Sequence, residues 1–400
     1  MTNHTHPSDC TAEDPIGRPF EAFLDSKAAT GSSDDRSGKY VSQLERVVGG
    51  WIDQMSRRGV ETFDDLDGRT VGRWTDEHLS QRVRAHEASD GESGVSPATA
   101  NVYYDYVSAY LEYCRKWEII DENPAATAVA RDPLAKRPSR QANDQQFWTP
   151  KQRVEITHYV RRRASEALDQ MSFEAVSEIR DCALIYTIGY SGARGSEILR
   201  VPRGDDQRRT GATWEDVNLE EGTLQVLGKS QNTEQVPLTD QPIEPLRQLR
   251  DLLNVSNDQI AEWPIFPTFH SPTLWATSRE QLQERGHDDE TVDELLDPIT
   301  NPIEAYRQYN LIPPSLTTEG ARNILKRFTE DAGIDVDGKK EYLTLHGARR
   351  GVGEQYYREV SPSAAQRVLR HADPRTTSKM YSHIEASELS DIGSDVFDSR

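Results

Sequence analysis

Six side chains in this sequence have the types and order needed to attack a phosphodiester: Arg194, Lys229, His346, Arg349, His371 and Tyr381. A phosphodiester is negatively charged and repels nucleophiles. Breaking one requires cations to cancel that charge, a nucleophile, and an acid for the leaving oxygen. The guanidinium forks of Arg194 and Arg349 match phosphate oxygens two at a time. Lys229 is the only lysine between Lys151 and Lys326 in a chain that otherwise prefers arginine. Lysine gives up a proton when burial or nearby cations lower its pKa, and arginine effectively does not, so Lys229 suits a general acid. Tyr381 supplies a phenol that attacks only where cations stabilise its phenolate. His346 and Arg349 are three residues apart and share one face of a helix. Glu197 stands three residues after Arg194, where it suits orienting that arginine or capping a turn better than catalysis. Each of these groups has a plain reading on its own, as a solvated arginine, a hairpin-tip lysine, a core histidine or a core tyrosine; their order along the chain favours the chemical one. The histidines, His383 included, match no zinc-site spacing, so no metal is expected.

The elements that must position these groups are mostly helical. Tyr40, Leu44, Val47, Val48, Trp51 and Met55 recur every three to four residues and predict one apolar helix face. A second helix is predicted from Thr75. A third starts at Ser96-Pro97, an N-cap followed by proline, with Tyr103, Val107, Tyr110, Leu111, Cys114 and Trp117 on its buried side. These make an all-helical domain over 38–124, preceded by a loosely packed or disordered tail over 1–37. A linker follows over 125–146, with prolines and the basic residues Lys136, Arg137 and Arg140. A second domain over 147–384 opens on a helix capped by Thr149. Its apolar run up to Ile188 sets Arg194 at the start of a helix. Alternation around Gly228-Lys229 predicts a β-hairpin over 223–238. The acidic stretch 254–314 reads as an elaboration with helical pieces at 280–285 and 290–296. Residues 385–400 form a tail. The fold class is therefore mainly α with a small β-sheet.

Composition bounds the rest. The 400 residues carry a formal net charge of −20, and the mean hydropathy is −0.76. Nucleic-acid binders usually show a basic footprint. An acidic, salt-adapted (halophilic) surface with its cations kept in a cleft reconciles the two observations, although high salt weakens phosphate contacts. Three scattered cysteines, no apolar run of membrane-spanning length and no signal-peptide pattern lead us to expect a soluble cytoplasmic protein without membrane association.

The ordered segments Gly192-Ala193-Arg194-Gly195-Ser196-Glu197-Ile198-Leu199, Trp214-Glu215-Asp216-Val217, Gly228-Lys229, His346-Gly347-Ala348-Arg349, Leu369-Arg370-His371 and Tyr381-Ser382-His383 resemble the tyrosine recombinase (phage-type integrase) family, in the Xer-like and haloarchaeal style. The resemblance spans roughly residues 40 to 385. It implies a helical core-binding domain and a mixed α+β catalytic domain closing as a clamp on double-stranded DNA. It also implies a specific recombination site, a protein that is monomeric when free and tetrameric on DNA, and strand exchange through a Holliday junction without cofactor. In that reading Tyr381 forms a 3′-phosphotyrosyl bond, Arg194 and Arg349 hold the phosphate, Lys229 is the acid, His346 assists proton transfer and His371 hydrogen-bonds the phosphate. DNA contacts are expected from Lys136, Arg137, Arg140, Arg208, Arg209 and Arg350. Two departures stand out: Arg370 takes the place of a common glycine, and Arg350 that of a common histidine. The tail 385–400 is placed where such proteins pack on a neighbouring subunit. The alternatives are an inactive DNA-binding relative and a type IB topoisomerase-like strand transferase.

Overall fold

The computed structural model describes residues 6–28, 39–138, 145–169, 175–201, 209–228, 232–337, 340–382 and 384. The chain divides into two compact units, residues 1–140 and residues 141–202 with 208–400.

The first unit is all helical: α1 (Phe20–Lys27), α2 (Lys39–Ser56), α3 (Gly68–Trp74), α4 (Gln81–Ala88), α5 (Pro97–Lys116) and α6 (Ala128–Arg131). Its core gathers Phe23, Leu44, Val48, Trp51, Trp74, Tyr104 and Tyr110, all essentially inaccessible to solvent. Full burial of such side chains contributes about 1.5–3 kcal/mol each. Two of their polar atoms find partners: Tyr104 donates its hydroxyl hydrogen to the Ala125 carbonyl at 2.6 Å, and Trp74 Nε1 donates to Gln54 at 2.8 Å. The expected α5 cap is present, with Ser96 Oγ accepting from the Thr99 amide.

Several expectations need correction here. The helix expected at Thr75 starts seven residues earlier, at Gly68, because Asp67 caps it by accepting from the Thr70 amide. It then passes through a π-helical segment at Thr75–Ser80 into α4. Residues 6–28 are not a loose tail: α1 buries Phe23 and Leu24 completely. Likewise the start of the expected linker is packed, with Ala125 and Ala130 at 0% exposure, because small residues let α6 lie close against α3. On the amphipathic faces, Tyr40 and Trp117 lie at the surface instead of in the core; Tyr40 meets Tyr106 edge-on and Trp117 meets His6.

The second unit is built on α8 (Ala175–Ser191), which follows α7 (Pro150–Asp169) and is buried almost all round. It packs against α7, against α10 (Asp240–Leu253) and against α16 (Leu345–Glu359). Thr149 caps α7 as expected. Between α8 and α10 come the short α9 (Gly195–Ile198) and a three-stranded antiparallel sheet. Its strands, β1 (Val217–Asn218), β2 (Thr223–Leu227) and β3 (Thr233–Pro237), lie in the order β1-β2-β3. The β2–β3 register runs from Thr223 opposite Pro237 to Leu227 opposite Thr233, which is the expected hairpin.

The acidic 254–314 stretch is more than an appendage. Its helices α11 (Asn257–Glu262), α12 (Ser271–Glu284), α13 (Asp289–Leu296) and α14 (Pro302–Gln308) bury Trp263 and Tyr306 in the main core. Trp263 Nε1 donates to the Leu311 carbonyl, and the Tyr306 hydroxyl donates to the Leu274 carbonyl. The chain then runs through α15 (Thr318–Asp331), α16, α17 (Pro362–Leu369) and α18 (Pro374–Met380). The architecture is mainly α with one small sheet. Among the described residues no helix is long and apolar enough to cross a membrane.

Candidate active site

The site forms where the end of α8, the start of α16 and the end of α17 meet. After the buried run of α8, Gly192 takes φ +69°, a left-handed turn suited to glycine. That turn delivers Arg194 to the N-cap of α9. Glu197 answers from the third helical position: its carboxylate accepts from the Arg194 amide at 2.7 Å and from the Arg194 guanidinium at 2.5 Å. The Glu197 side chain is fully buried, while Arg194 keeps 21% of its own exposed. Burial works to raise the Glu197 pKa, but Arg370 and Arg194 outweigh it and hold the carboxyl below its usual value. Glu197 thus orients and caps, as its spacing suggests.

α16 carries the next two groups. Thr344 caps it, accepting from the Gly347 amide, and Gln146 locks that cap by accepting from both the amide and the hydroxyl of Thr344. His346 sits in the first turn with an exposed outer side. Partial desolvation, then Arg350, Arg349, Lys340 and Arg194, hold its pKa below the usual histidine value. Arg349 lies one turn on and is 6% exposed. It donates to the Gly192 carbonyl and to the Leu369 carbonyl, which joins the ends of α8 and α17. Burial and the neighbouring Arg194 pull its pKa down to about 9. The guanidinium therefore still carries its charge at neutral pH.

His371 follows α17 and is half-buried. Its Nδ1 hydrogen-bonds Thr377 Oγ1 on α18 at 2.9 Å. Burial, then Arg349, Arg194 and Arg370, push its pKa down to about 4. At neutral pH it is a neutral imidazole with Nε2 still available, which suits hydrogen bonding to an anion. Arg194, Arg349 and His371 therefore share one electropositive corner.

Tyr381 is held elsewhere in the same neighbourhood. It is at 0% exposure, and its hydroxyl donates to the Arg350 carbonyl of α16 at 3.1 Å. The rings of Tyr357 and Phe147 flank it at 5.2 and 6.0 Å. Gly353 makes the nest possible, because a Cβ there would overlap the Tyr381 hydroxyl and the Leu369 side chain. Burial raises the phenol pKa well above its ordinary value despite the opposing pull of Arg349. In this arrangement the phenol is buried and un-ionised.

Of the other expected residues, Lys229, Arg140 and Arg208 lie outside the described residues, as do His383 and the tail 385–400. Lys136 is exposed in the first unit, and Arg137 pairs there with Asp105. Arg209 braces the protein itself, donating to the Ser196 carbonyl at 3.1 Å and to the Gly228 carbonyl at 3.4 Å. Arg350 approaches the Gln146 carbonyl at 3.5 Å and gives its own carbonyl to Tyr381. Sequence reasoning missed Gln146 and Glu234, and it treated Arg370 as a mere departure. None of the three has a local signal, since each acts on a residue far away in the chain. Among the described residues no cluster of His, Cys, Asp and Glu could hold a metal ion.

No protein-family model matches this chain, and no curated protein matches its sequence. Solved structures do share its fold. The XerH site-specific recombinase bound to its difH substrate aligns at TM-score 0.54 and 16% identity, covering 95% of this chain and 98% of that one. The Tn1549 transposon integrase in complex with transposon right-end DNA aligns at TM-score 0.52 and 12% identity, covering 93% and 99%. A lambda integrase dimer bound to a core site aligns at TM-score 0.50 and 13% identity, covering 91% and 93%. The mainly helical chain with its small sheet has the fold of these tyrosine recombinases.

Proposed function

We propose that this chain is a site-specific tyrosine recombinase that cuts and rejoins double-stranded DNA through a 3′-phosphotyrosyl intermediate. The observation that carries the reading is the convergence of Arg194, Arg349 and His371 on one corner, from segments far apart in sequence, with Tyr381 held against the same α16 helix. Such a corner suits a phosphate: two guanidinium groups cancel its charge, and a neutral imidazole adds a hydrogen bond.

The chemistry balances without a cofactor. The Tyr381 oxygen bonds to phosphorus and the bond to the 5′-oxygen breaks. Lys229, at the hairpin tip in sequence, gives that oxygen a proton, and His346 helps to move the proton released by the phenol. The ester energy stays in the protein–DNA link, so reversal by another strand's 5′-hydroxyl rejoins DNA. Before this, the phenol must leave its nest beside Gly353. Assembly as a tetramer on two duplexes, from free monomers, would supply the neighbouring strands for exchange through a Holliday junction. The net charge of −20 fits a salt-adapted surface around a basic cleft.

A nicked suicide duplex carrying the target site tests the reading. The expected result is a covalent protein–DNA adduct that the Tyr381→Phe variant does not form. An adduct that persists in that variant refutes the nucleophile. Relaxation of supercoils without exchange between duplexes would instead mark a topoisomerase-like transferase, and tight binding with no adduct an inactive relative.

A further inference from the structure

Arg370 sits in a backbone conformation that favours glycine. It ends α17 with φ +50° and ψ +48°, in the left-handed region. A side chain there strains the backbone, and helix ends of this kind usually take glycine or asparagine. The strain is offset by what the guanidinium reaches. It is 9% exposed and has two carboxylate partners on separate elements, Glu197 at 2.5 Å and Glu234 at 3.0 Å. Glu197 is the carboxylate that orients Arg194. Glu234 lies on β3 opposite Val226. Its carboxyl group lies across Gly228, where a Cβ would come within 2.5 Å of Glu234 Cδ. Arg209 crosses the same join from Ser196 of α9 to Gly228. The end of β2 is thereby tied to the Arg194 cap.

Charge supports the same role. Glu197 is shared between Arg194 and Arg370, and Glu234 also pairs with Arg370.

We propose that Arg370 is a positioning residue that clamps the β2–β3 hairpin to the Arg194–Glu197 pair. In the recombinase reading, the clamp keeps the described strands that flank Lys229, the expected acid, fixed relative to Arg194. The mechanical part stands on the contacts alone; the catalytic part rests on the recombinase reading above.

Arg370→Gly is the informative variant, because the backbone there accepts glycine without strain. In the full chain, amide hydrogen exchange across residues 223–237 is expected to rise about tenfold in Arg370→Gly and in Glu234→Gln, the size of one lost charge-assisted pair. The double variant should be no faster than either single. Hairpin exchange within twofold of the parent in both singles, or additive effects in the double, overturns the clamp. On the nicked duplex, Arg370→Gly should cleave about tenfold more slowly, with Arg370→Lys intermediate. A 5′-bridging phosphorothiolate, whose sulfur leaves without an acid, should restore most of that rate. Equal slowing on both substrates, as a merely structural role would give, overturns the positioning of the hairpin. If the parent chain forms no adduct on any duplex, the recombinase reading fails, while the exchange experiment still decides the clamp.

Discussion

The second unit treats Arg349 and Tyr381 in opposite ways, although both are buried and both lean on α16. Arg349 spends two of its five donors on the carbonyls of Gly192 and Leu369. Those bonds fix its plane, and the remaining donors form part of a wall set before any ligand arrives. Among the described residues the Tyr381 hydroxyl bonds only the Arg350 carbonyl, and the ring belongs to a small cluster with Tyr357, Ala365, Leu369 and Ile384. The arginine is built in and the tyrosine is parked. A preorganised cation is useful because it costs no rearrangement when charge develops. A preorganised phenolate would be a reactive oxygen with nothing to attack. Burial beside Gly353 favours the protonated phenol.

The comparison can be broken first at Tyr381, the proposed nucleophile. Tyr381→Phe should abolish adduct formation on a nicked duplex while duplex binding, followed by fluorescence anisotropy, stays within about threefold, since a lone hydroxyl-to-carbonyl bond is a small term. A large loss of binding would mean that Tyr381 belongs to the wall. Next is the wall itself. Arg349→Ala should lower the cleavage rate by roughly 10³-fold, the scale for losing a preorganised donor to a developing charge. It should also cost about 2–3 kcal/mol in urea unfolding, because two buried carbonyls lose their partner. Arg349→Lys should recover part of the stability and little of the rate.

A third change sharpens the difference by evicting the tyrosine. Gly353→Ala improves helix propensity by about 1 kcal/mol, yet its Cβ would overlap the Tyr381 hydroxyl. We expect Tyr381 to become reactive toward tetranitromethane in the variant and protected in the parent, with Arg349 still in place. Equal protection in both would show that the nest does not depend on that glycine.

The smallest effect concerns pH. The folded pKa of His371 is pushed down to about 4 from 6.5. Between those values the unfolded chain takes up a proton that the folded chain refuses, so stability falls as pH drops from about 6.5 toward 4. Discounted for its half-exposed position, the His371 share should be about 1 kcal/mol at pH 5. His371→Gln should flatten that part of the urea-melt profile, and an unchanged slope would show that the ring is solvated in the folded state.

Much of this was legible in the chain. The α2 and α5 faces followed from apolar spacing, the β2–β3 hairpin from alternation around Gly228, and the place of Arg194 at a helix start from the apolar run before it. Glu197 was readable as an orienting group because its partner is three residues away. What was not legible depends on residues far apart in sequence. Ala125 and Ala130 look like linker until α3 is set beside them. Arg370 looks like a substitution for glycine until Glu197 and Glu234 meet it.

The sequence by itself determined which chemical groups are available, the order in which they come, and the helices and hairpin that carry them, because those depend on side-chain type and on periods of two or three to four residues. Only the tertiary structure decided that Arg349 is wedged between two carbonyls, that Arg370 bridges two carboxylates, and that Tyr381 rests on Gly353 with its proton retained. Those outcomes depend on burial and on the distance between segments, and both arise only when the chain closes on itself.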